Sequence, residues 1–527
     1  MTKLTVPIMV QNIEHAHSYA AKAAEAGADL VEYRIDLFTE DAKAVTELVV
    51  ESPLPCIVTC RPTWEGGLYD GDEDARIAFL EHACVGVRKP AYIDLELVAY
   101  ERSANLRLKI KGVVDHAEQV KGIDTGLILS SHDFEGRPKD LLQRVAKMAE
   151  AELGRVIKVA WAAKSLRDNL EAFEIVQGNY KPTIALCMGE HGLASRVLAK
   201  KFGALLTFAT LSDEGTAPGQ PTVQAIKHVY RWDKLNEKTK VYGVIGEPVG
   251  HSLSPVIHNA GFEAVNFDGV YLPMPIEKSY ESFKATVGSW IDQKDLDFKG
   301  ASVTIPHKEN LIRFVKEMDG EVEPLTEQIG AANTLAVRDD GSLYACNTDY
   351  AGALDAVCGG LGILRDDLAG KSIGLIGAGG VARAIIAGFG GQGCDVQIYN
   401  RTMSKGEILV EELGVYAIDR GGSIIAAGLD KLMQSDCDVY INCTPIGMLP
   451  KIDASPMEGF AFKQNMIVFD TIYNPAETKL LKDAKAAGCK TISGMDMFVN
   501  QAAPQLELWT GQAGPMDVFR EALKNKR

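Results

Sequence analysis

Residues 372–382 read Ser-Ile-Gly-Leu-Ile-Gly-Ala-Gly-Gly-Val-Ala, a short apolar run that enters a cluster of glycines. The run predicts a buried strand, and the residues after the cluster have the pattern of a helix. In this context Gly377 makes the tight turn, Gly379 leaves room for a pyrophosphate, and Ala382 packs the helix on the strand. The stretch therefore predicts a Rossmann domain that binds a dinucleotide at the N-terminus of the helix.

The end of the next strand indicates which dinucleotide to expect. It reads Asn400-Arg401-Thr402, where an NAD site would place an acidic residue for the ribose 2′-hydroxyl. An arginine suits a 2′-phosphate, so NADP(H) is the predicted cofactor. No metal is expected. The alternative is that Arg401 is an ordinary surface residue. The predicted cofactor contacts are Gly377, Ala378, Gly379, Gly380, Ala382, Asn400, Arg401, Thr402, Lys405, Thr444 and Gly494.

A lysine and an aspartate lie upstream of the dinucleotide turn. Lys308 ends the segment Ala-Ser-Val-Thr-Ile-Pro-His-Lys, an apolar strand that runs into a proline, and Asp349 ends the segment Asn-Thr-Asp. A lysine beside a carbonyl that is being reduced can protonate its oxygen, and an aspartate can set the position and protonation of that lysine. The pair predicts a dehydrogenase in the second half of the chain.

The first half alternates short apolar runs with longer amphipathic stretches. Such runs suit parallel strands that are buried on both faces, and together they predict a (β/α)₈ barrel. A doubly wound sheet is the alternative, but charged residues at many strand ends favour the barrel. The segment Arg107–Asp115 also has a strand-like pattern and has no place among the eight. The predicted strands are Val6–Val10, Leu30–Ile35, Ile57–Cys60, Tyr92–Leu97, Leu127–Ser130, Val156–Trp161, Thr183–Met188 and Leu205–Ala209.

Lys158 is the candidate nucleophile of the first half. It lies between Ile157 and Val159 in a predicted apolar strand. Burial there disfavours the ammonium form, so the free amine becomes a nucleophile toward a ketone. His132, at another strand end, can carry protons near neutral pH. Alternatively, Lys158 and His132 could each be an ordinary salt-bridged residue of the barrel. The rival nucleophile is Lys164, but it lies past the apolar strand, where we expect it to be solvated.

Length and composition agree with a chain of several domains. At 527 residues, 46% hydrophobic and 24% charged, it is expected to form two or three soluble globular domains. We predict a barrel over 1–232, a linker over 233–240, a substrate domain over 241–358 that 495–527 complete, and a Rossmann domain over 359–494.

Charge and cysteine usage exclude some classes of partner. The net charge of −16 disfavours a nucleic-acid surface, which needs a basic patch. No apolar run is long enough to span a bilayer, and an N-terminus that enters a strand at once leaves no room for a signal peptide. The 10 scattered cysteines suit a reducing compartment. We expect a cytoplasmic monomer that binds small molecules, or a plastid protein if a transit peptide has been removed.

Several strand-end motifs of the first half closely resemble type I 3-dehydroquinate dehydratase. The most specific are Gly-Glu-His-Gly-Leu-Ala-Ser-Arg-Val (189–197) and Ala-Pro-Gly-Gln (217–220). The resemblance implies that Lys158 forms a Schiff base with the substrate ketone and that His132, assisted by Glu65, is the acid and base. Thr216 stands where many members have serine and keeps the hydroxyl. The implied substrate contacts are Glu32, Arg34, Arg61, Arg196, Thr216 and Gln220.

The second half resembles the shikimate dehydrogenase family over nearly all of 241–527. The resemblance rests on Ser-Leu-Ser-Pro (252–255), the Lys308 and Asp349 segments, Ala-Asn-Thr (332–334), Tyr-Asn-Pro (473–475) and Gly494–Gln501. It implies that Lys308 and Asp349 are the catalytic pair. The two serines could instead cap a helix before Pro255. The implied substrate contacts are Ser252, Ser254, Thr304, Asn333, Tyr473 and Gln501.

Together the two resemblances imply a bifunctional enzyme, and the fusion resembles the two-domain plant enzyme. The first site would dehydrate 3-dehydroquinate, and the second would reduce the resulting 3-dehydroshikimate to shikimate with NADPH. One alternative is a second half that prefers quinate, and another is that one half is a non-catalytic regulatory module. Both sets of chemical residues are complete in the sequence, which favours two active enzymes.

Overall fold

The computed structural model describes residues 1–38, 41–116, 122–178, 181–212 and 219–524. The chain divides into two compact units. The first comprises Met1–Val241, Asp268–Ile276 and Ala285–Asp297, and the second comprises Tyr242–Phe267, Glu277–Lys284 and Phe298–Arg527. Segments 268–276 and 285–297, which the sequence-based boundary assigns to the substrate domain, thus group with the first unit. The finer domain limits remain a prediction.

The first unit contains an eight-stranded parallel barrel. Its strands are β1 Lys3–Met9, β2 Leu30–Arg34, β3 Cys56–Thr59, β4 Tyr92–Glu96, β5 Gly126–Asp133, β6 Gly154–Ala162, β7 Thr183–Met188 and β8 Leu206–Phe208. They neighbour one another in the order β7-β6-β5-β4-β3-β2-β1-β8. Leu205 N donates a hydrogen bond to Thr183 O at 2.9 Å, which brings the start of β8 beside β7 and nearly closes the ring. The predicted barrel is confirmed, and the doubly wound alternative is wrong.

The inside of the barrel is layered along the strands. Side chains two residues apart on a strand point to the same face, so each strand contributes every second residue to the interior. The inward residues of the lower layer form an apolar floor and include Leu30, Ile57, Ile128, Val156, Ile184 and Leu206. The next inward positions toward the C-terminal strand ends carry polar groups, among them Glu32, Asp94, Ser130 and Lys158. The sequence therefore places a charged layer directly above an apolar one.

Helices between the strands cover the barrel. They are α1 Ile13–Glu25, α2 Ala42–Val50, α3 Glu73–Ala83, α4 Leu97–Arg102, α5 Ala104–Lys111, α6 Leu141–Glu150, α7 Asp168–Gln177 and α8 Leu193–Val197. Short polar side chains begin several of them: Asn12 accepts a hydrogen bond from His15 N at 2.8 Å, and Asp72 accepts one from Ala75 N at 3.0 Å. Such caps satisfy backbone donors that have no partner within the helix.

The segment predicted as strand-like, Arg107–Asp115, is not a strand. Residues 107–111 of the segment lie in helix α5, which Ser103 caps by accepting a hydrogen bond from Leu106 N. Leu106 and Ile110, four residues apart, are buried, whereas Leu108 is 70% exposed. The burial thus follows the helical period rather than the alternation of apolar and charged residues that suggested a strand.

The substrate-domain segment of the chain combines short strands and helices. They are β9 Lys240–Gly246, α9 Ser254–Ala264, β10 Gly269–Pro275, α10 Tyr280–Asp292, β11 Phe298–Val303, α11 Lys308–Glu317, β12 Glu321–Val322, α12 Pro324–Ile329, β13 Thr334–Val337, β14 Leu343–Cys346 and α13 Asp349–Leu361. Within the second unit, β13 pairs antiparallel with both β11 and β14, and β14 pairs parallel with β12. Lys308 begins α11 and Asp349 begins α13, so both catalytic candidates lie at helix N-termini.

The rest of the second unit is the predicted doubly wound Rossmann sheet. Its elements are β15 Ser372–Ile376, α14 Gly380–Gly391, β16 Asp395–Asn400, α15 Met403–Ile418, β17 Ser423–Gly428, β18 Val439–Asn442, β19 Ile467–Asp470, α16 Lys479–Ala486 and β20 Lys490–Ile492. All pairs are parallel, in the order β17-β16-β15-β18-β19-β20. The strand order reverses between β15 and β18, where sheets of this kind bind their ligands.

Two helices follow the sheet, α17 Gly494–Thr510 and α18 Met516–Lys524. Trp509 on α17 donates its indole N–H to Leu335 O at 3.0 Å, and a side chain at Gly261 on α9 would collide with Phe519 of α18. The tail therefore packs on substrate-domain elements rather than on the nucleotide sheet. Among the described residues, none of the helices combines the length and apolar character that crossing a bilayer requires.

Candidate active sites

A single cavity at the C-terminal strand ends of the barrel collects the residues predicted for the first site. Every one of them is in its lining except Thr216, which lies outside the described residues. The cavity is lined by Pro7, Glu32, Arg34, Arg61, Glu65, Gly66, His132, Phe134, Lys158, Ala160, Leu186, Met188, Arg196, Phe208 and Gln220. These residues come from distant parts of the sequence, and the closing of the barrel brings them together.

Lys158 lies on β6 and is buried inside the barrel, as the apolar strand predicted, and its amine lies beside two carboxylates. Its Nζ is 2.8 Å from Asp94 Oδ2 and 3.3 Å from Glu32 Oε1. The ring of Phe208 lies beneath it, 4.9 Å from Nζ to the centroid. The flanking apolar residues Ile157 and Val159 occupy the opposite face of the strand. The rival Lys164 is exposed.

Asp94 and Glu96 on β4 are acidic residues of the site that the sequence analysis missed. Arg61 lies between them, with Nη2 2.7 Å from Asp94 Oδ1 and Nη1 2.6 Å from Glu96 Oε1. The other oxygen of Glu96 is 2.8 Å from Arg76 Nη1. Burial alone would raise the pKa of Asp94, but Arg61 and Lys158 hold it well below its usual range. Asp94 is therefore ionised, and its two oxygens bridge Arg61 and Lys158.

His132 and Glu65 form a second pair on the cavity wall. Glu65 Oε1 is 2.9 Å from both the backbone N and the Nδ1 of His132. Burial, together with Arg61 and Lys158, lowers the pKa of His132 well below 6.5, so its imidazole is neutral at pH 7. Burial raises the pKa of Glu65 to about 8, although Arg61 opposes this. A neutral imidazole held by a hydrogen bond can accept a proton from a substrate.

Arg196, on α8, is a buried cation of the cavity without a counter-charge. Burial lowers its pKa to about 10, so it is charged at neutral pH. Among the residues that the structure describes, no carboxylate forms an ion pair with it, and its Nε has no hydrogen-bond partner. An unpaired buried guanidinium is costly unless a ligand completes it. A carboxylate of the ligand would do so through charge-assisted hydrogen bonds.

In the second unit, Lys308 and Asp349 form a direct pair. Lys308 Nζ donates to Asp349 Oδ2 at 2.5 Å. The other oxygen, Asp349 Oδ1, accepts from Asn333 Nδ2 at 2.8 Å. The backbone N of Ala332 donates to Lys308 O at 2.9 Å and so ties the Asn333 segment to the lysine. Two helix N-termini and one loop thus hold an ammonium and a carboxylate in contact.

Other predicted substrate residues are only partly gathered around this pair. Gln501 joins it through Asn333, whose Nδ2 is 3.1 Å from Gln501 Oε1. Ser252 and Ser254 bond each other at 3.1 Å. Tyr473 stacks on Phe498, one helical turn before Gln501, with ring centroids 5.0 Å apart. Within the described ranges, no hydrogen bond joins Ser252, Ser254, Thr304 or Tyr473 to Lys308 or Asp349.

The glycine turn after β15 has the shape that a pyrophosphate site needs. Gly377 has φ +113°, which glycine adopts readily, and a side chain there would press against Thr444 across the strand reversal. Gly379 and Gly380 are exposed, and a Cβ at either would meet no protein atom within 4 Å. No side chain caps α14, so its first N–H groups remain available to an anion.

The other predicted cofactor residues border the same edge of the sheet. Asn400 ends β16 and donates to Thr402 O at 2.8 Å, which shapes the turn that carries Arg401. Arg401 and Lys405 are both exposed, and in the described part of the chain neither forms an ion pair with a carboxylate. Gly494 begins α17 where a Cβ would lie 2.4 Å from Thr471 O. The cations fit a phosphate group beside the adenosine ribose.

These folds and sites define a class: a two-enzyme chain, in which a lyase-type barrel precedes a nicotinamide-dependent dehydrogenase. Family models agree with both halves. The model of type I 3-dehydroquinase matches residues 4–237. The shikimate dehydrogenase substrate-binding domain matches 244–335, and the shikimate 5′-dehydrogenase C-terminal domain matches 494–524.

Curated relatives and solved structures give the same result. The chloroplastic bifunctional 3-dehydroquinate dehydratase/shikimate dehydrogenase of Arabidopsis thaliana is 37% identical over 536 residues, which is 98% of this chain and 83% of that protein. The chain belongs to this bifunctional family, as its sequence predicted. Shikimate dehydrogenase (NADP(+)) of Methanothermobacter thermautotrophicus is 36% identical over 297 residues, which is 55% of this chain and 98% of that protein. A crystal structure of shikimate dehydrogenase in complex with NADP+ has 35% identity and a TM-score of 0.51, over 55% of this chain and 97% of that one.

Proposed function

We propose that this protein dehydrates 3-dehydroquinate to 3-dehydroshikimate in the barrel and reduces 3-dehydroshikimate to shikimate with NADPH in the second unit. One observation carries the proposal: a buried lysine, a neutral histidine and a buried arginine line one barrel cavity, and no described carboxylate pairs with the arginine, as a ketone-bearing carboxylate requires. The Arabidopsis relative carries both activities in its name, and the Methanothermobacter relative carries the second.

In the barrel, the free-amine form of Lys158 attacks the ketone carbon of the substrate. Nζ forms the new C–N bond, the carbonyl oxygen leaves as water, and the iminium draws electrons from the neighbouring C–H bond. His132 takes that proton, and its low pKa means that it is neutral beforehand. The enamine then expels the hydroxyl group, which leaves as water with the proton returned by His132. Hydrolysis of the iminium frees Lys158 and the product.

Arg196 holds the substrate carboxylate in this scheme, and the ion pairs around Lys158 hold its amine in place. Asp94 contacts both Lys158 and Arg61, so it fixes the nucleophile relative to the arginine that faces the cavity. Glu65 Oε1 forms a hydrogen bond with His132 Nδ1, which orients the ring. Pre-ordered groups of this kind lower the barrier because little reorganisation remains for the reaction itself.

In the second unit, Lys308 donates a proton to the carbonyl oxygen as it is reduced. Asp349 positions the lysine through the 2.5 Å contact. The residues present fit NADPH: the open turn at Gly379 admits the pyrophosphate, and Arg401 and Lys405 suit the 2′-phosphate. When bound, NADPH supplies the hydride. Ser252 and Ser254, which both keep their hydroxyls, favour shikimate over quinate as the ring that is bound.

A coupled assay tests the proposal. 3-Dehydroquinate and NADPH are mixed with the intact protein, and the fall in NADPH absorbance is followed. We expect oxidation of NADPH with formation of shikimate, and much slower oxidation of NADH. Direct assays with 3-dehydroquinate, 3-dehydroshikimate and quinate separate the two sites. Absence of NADPH oxidation when 3-dehydroshikimate is supplied would refute the second activity, and it would support a non-catalytic second half.

The same proposal extends to the setting of the protein. Nine of the ten free cysteines are buried, which suits a reducing compartment such as the cytoplasm or the plastid stroma. We propose a monomer without nucleic-acid or membrane partners, whose ligands are small molecules. Sedimentation equilibrium of the purified protein tests the monomer, since a dimer would double the measured mass.

A further inference from the structure

Gln505 is a buried polar residue of the second site that the sequence analysis did not single out. It lies on α17, one turn after Gln501, and its side chain is fully buried. Its amide nitrogen is 3.0 Å from Thr334 Oγ1, 3.2 Å from Thr348 Oγ1 and 3.3 Å from Gln501 Oε1. Three acceptors thus surround one NH₂ group, so Gln505 is a donor at the centre of this network.

The first consequence concerns Gln501. Its Oε1 accepts from Gln505 and also from Asn333 Nδ2 at 3.1 Å. An amide group carries its oxygen and its NH₂ on opposite sides, so binding of the oxygen by two donors directs the NH₂ of Gln501 away from them. Gln501 is only half-buried. In this orientation its N–H groups are available to a ligand.

The second consequence concerns Asn333. Thr334 has one hydroxyl proton, and because Gln505 donates to its oxygen, that proton is free to bond Asn333 Oδ1, 2.7 Å away. The same Asn333 oxygen accepts from Thr348 N at 2.8 Å. Asn333 Nδ2 is thereby directed toward Asp349 Oδ1. The hydrogen bond that Gln505 donates therefore orients the Thr334 hydroxyl. That hydroxyl orients Asn333, which donates to Asp349, the partner of Lys308.

We propose that Gln505 is a positioning residue for the reduction site. It sets the direction of the amide groups of Gln501 and Asn333, so that Gln501 presents N–H to a hydroxyl oxygen of the substrate and Asn333 presents N–H to Asp349. The inference rests on the proposed function, since that function supplies a hydroxylated ring as substrate. Gln505 itself contacts neither substrate nor cofactor. It determines which amide atoms of Gln501 face the substrate and which amide atoms of Asn333 face Asp349.

Two substitutions separate polarity from packing. Gln505→Glu keeps the shape and replaces the donor by an acceptor when the carboxyl is ionised, and Gln505→Met keeps the volume without either. Gln512→Glu is the matched control, because Gln512 follows α17, is exposed and bonds only backbone groups and Thr510 in the described structure. Each intact variant is assayed for shikimate oxidation with NADP+ and, as a control for folding, for dehydration of 3-dehydroquinate.

We expect Gln505→Glu to raise the KM for shikimate about ten- to hundredfold, the cost of leaving buried polar groups unpaired. The KM for NADP+ stays within twofold, and dehydration is unchanged. The rise in KM shrinks as the pH is lowered from 9 to 6, because a protonated carboxyl again has a proton to donate. Gln505→Met raises the KM for shikimate without this pH dependence, and Gln512→Glu has no effect.

A KM for shikimate that is unchanged in Gln505→Glu overturns the inference, as does an equal and pH-independent rise in the Glu and Met variants. If the carboxylate prevents folding, Gln505→Met decides alone: a KM for shikimate equal to that of the wild type overturns the inference. The proposed function itself is refuted if the wild-type protein does not oxidise shikimate with NADP+. That outcome is distinguishable, because it is seen before any variant is compared.

Discussion

At the scale of single residues, the face of the strand explains the setting of Lys158. Side chains that alternate along β6 place Val156 and Ala160 on the same inner face as Lys158, while Ile157 and Val159 point outward. The chemistry of the lysine is therefore set by inward residues of other strands, above all Asp94. A flanking apolar sequence indicates a buried strand, but it does not describe the interior that the strand faces.

We predict that borohydride in the presence of 3-dehydroquinate traps a covalent adduct on Lys158. The reduced adduct is located by peptide mass analysis of the first half. Lys158→Ala should abolish it and lower the dehydration rate by about a thousandfold or more, the usual order for loss of a nucleophile. Lys164→Ala is the matched control, since Lys164 is exposed and six residues on. An adduct that maps to Lys164 would show that the assignment is wrong.

The titration of His132 provides a second test at this scale. Burial and the cations Arg61 and Lys158 lower its pKa, so the imidazole should remain neutral at pH values where an ordinary histidine, near 6.5, is half protonated. NMR of histidine ring carbons between pH 5 and 8 measures this, with His132→Asn to assign the signal. A midpoint at or above 6.5 would contradict the environment described here.

We predict that Arg401 determines the preference for NADPH over NADH. Arg401→Asp should raise the KM for NADPH about tenfold or more, because charge-assisted hydrogen bonds contribute roughly 1.5–3 kcal/mol. The KM for 3-dehydroshikimate should change little. Arg420→Asp is a suitable control, since Arg420 is exposed and lies beyond the end of α15. An unchanged KM for NADPH would leave Arg401 an ordinary surface residue.

At the scale of elements, the turn between β15 and α14 separates binding from folding. Gly379 has φ −97°, which any residue adopts, and a Cβ there would meet no protein atom. Gly379→Ala should therefore leave thermal unfolding unchanged. It should raise the KM for NADPH about tenfold, because a methyl group forced into a packed contact costs roughly 1–3 kcal/mol.

Gly391→Ala is the matched control for this prediction. Gly391 is in the last turn of the same helix, and a Cβ there also meets nothing within 4 Å. It should stabilise the helix by up to about 1 kcal/mol and leave the KM for NADPH unchanged. If both alanine variants bind NADPH as the wild type does, the turn at Gly379 is not the pyrophosphate site.

The elements also show what sequence reasoning reached and what it missed. The Rossmann turn was predictable because its strand, glycines and helix are contiguous in the chain. Asp94 and Glu96 alternate with Ile93 and Leu95 on β4, a period-two signal that was available but was not used. Their partnership with Arg61 could not be read from sequence, because it depends on how neighbouring strands align across the barrel. The prediction of a strand at Arg107–Asp115 was wrong because apolar residues that alternate over a short segment can also lie on one face of a helix.

At the scale of the whole molecule, the two sites draw on separate sets of residues. All residues of the dehydratase site that the structure describes belong to the first unit, and the Lys308 and Gly379 sites belong to the second. We predict that Lys308→Ala lowers reduction about 10²–10⁴-fold, as loss of a positioned proton donor does, and leaves dehydration intact. Lys158→Ala should do the reverse when 3-dehydroshikimate is supplied directly. A folded variant that loses both activities would contradict independence.

Arg196 has a consequence for the design of inhibitors. Its guanidinium is buried in the barrel without a carboxylate among the described residues, so a compound that fills the cavity must bring an anion or leave that charge desolvated. Neutral, lipophilic compounds are therefore poor starting points, and a charged compound crosses lipid slowly. An ester of such a carboxylate would cross lipid more easily, but it would bind in the cavity only after hydrolysis had restored the anion.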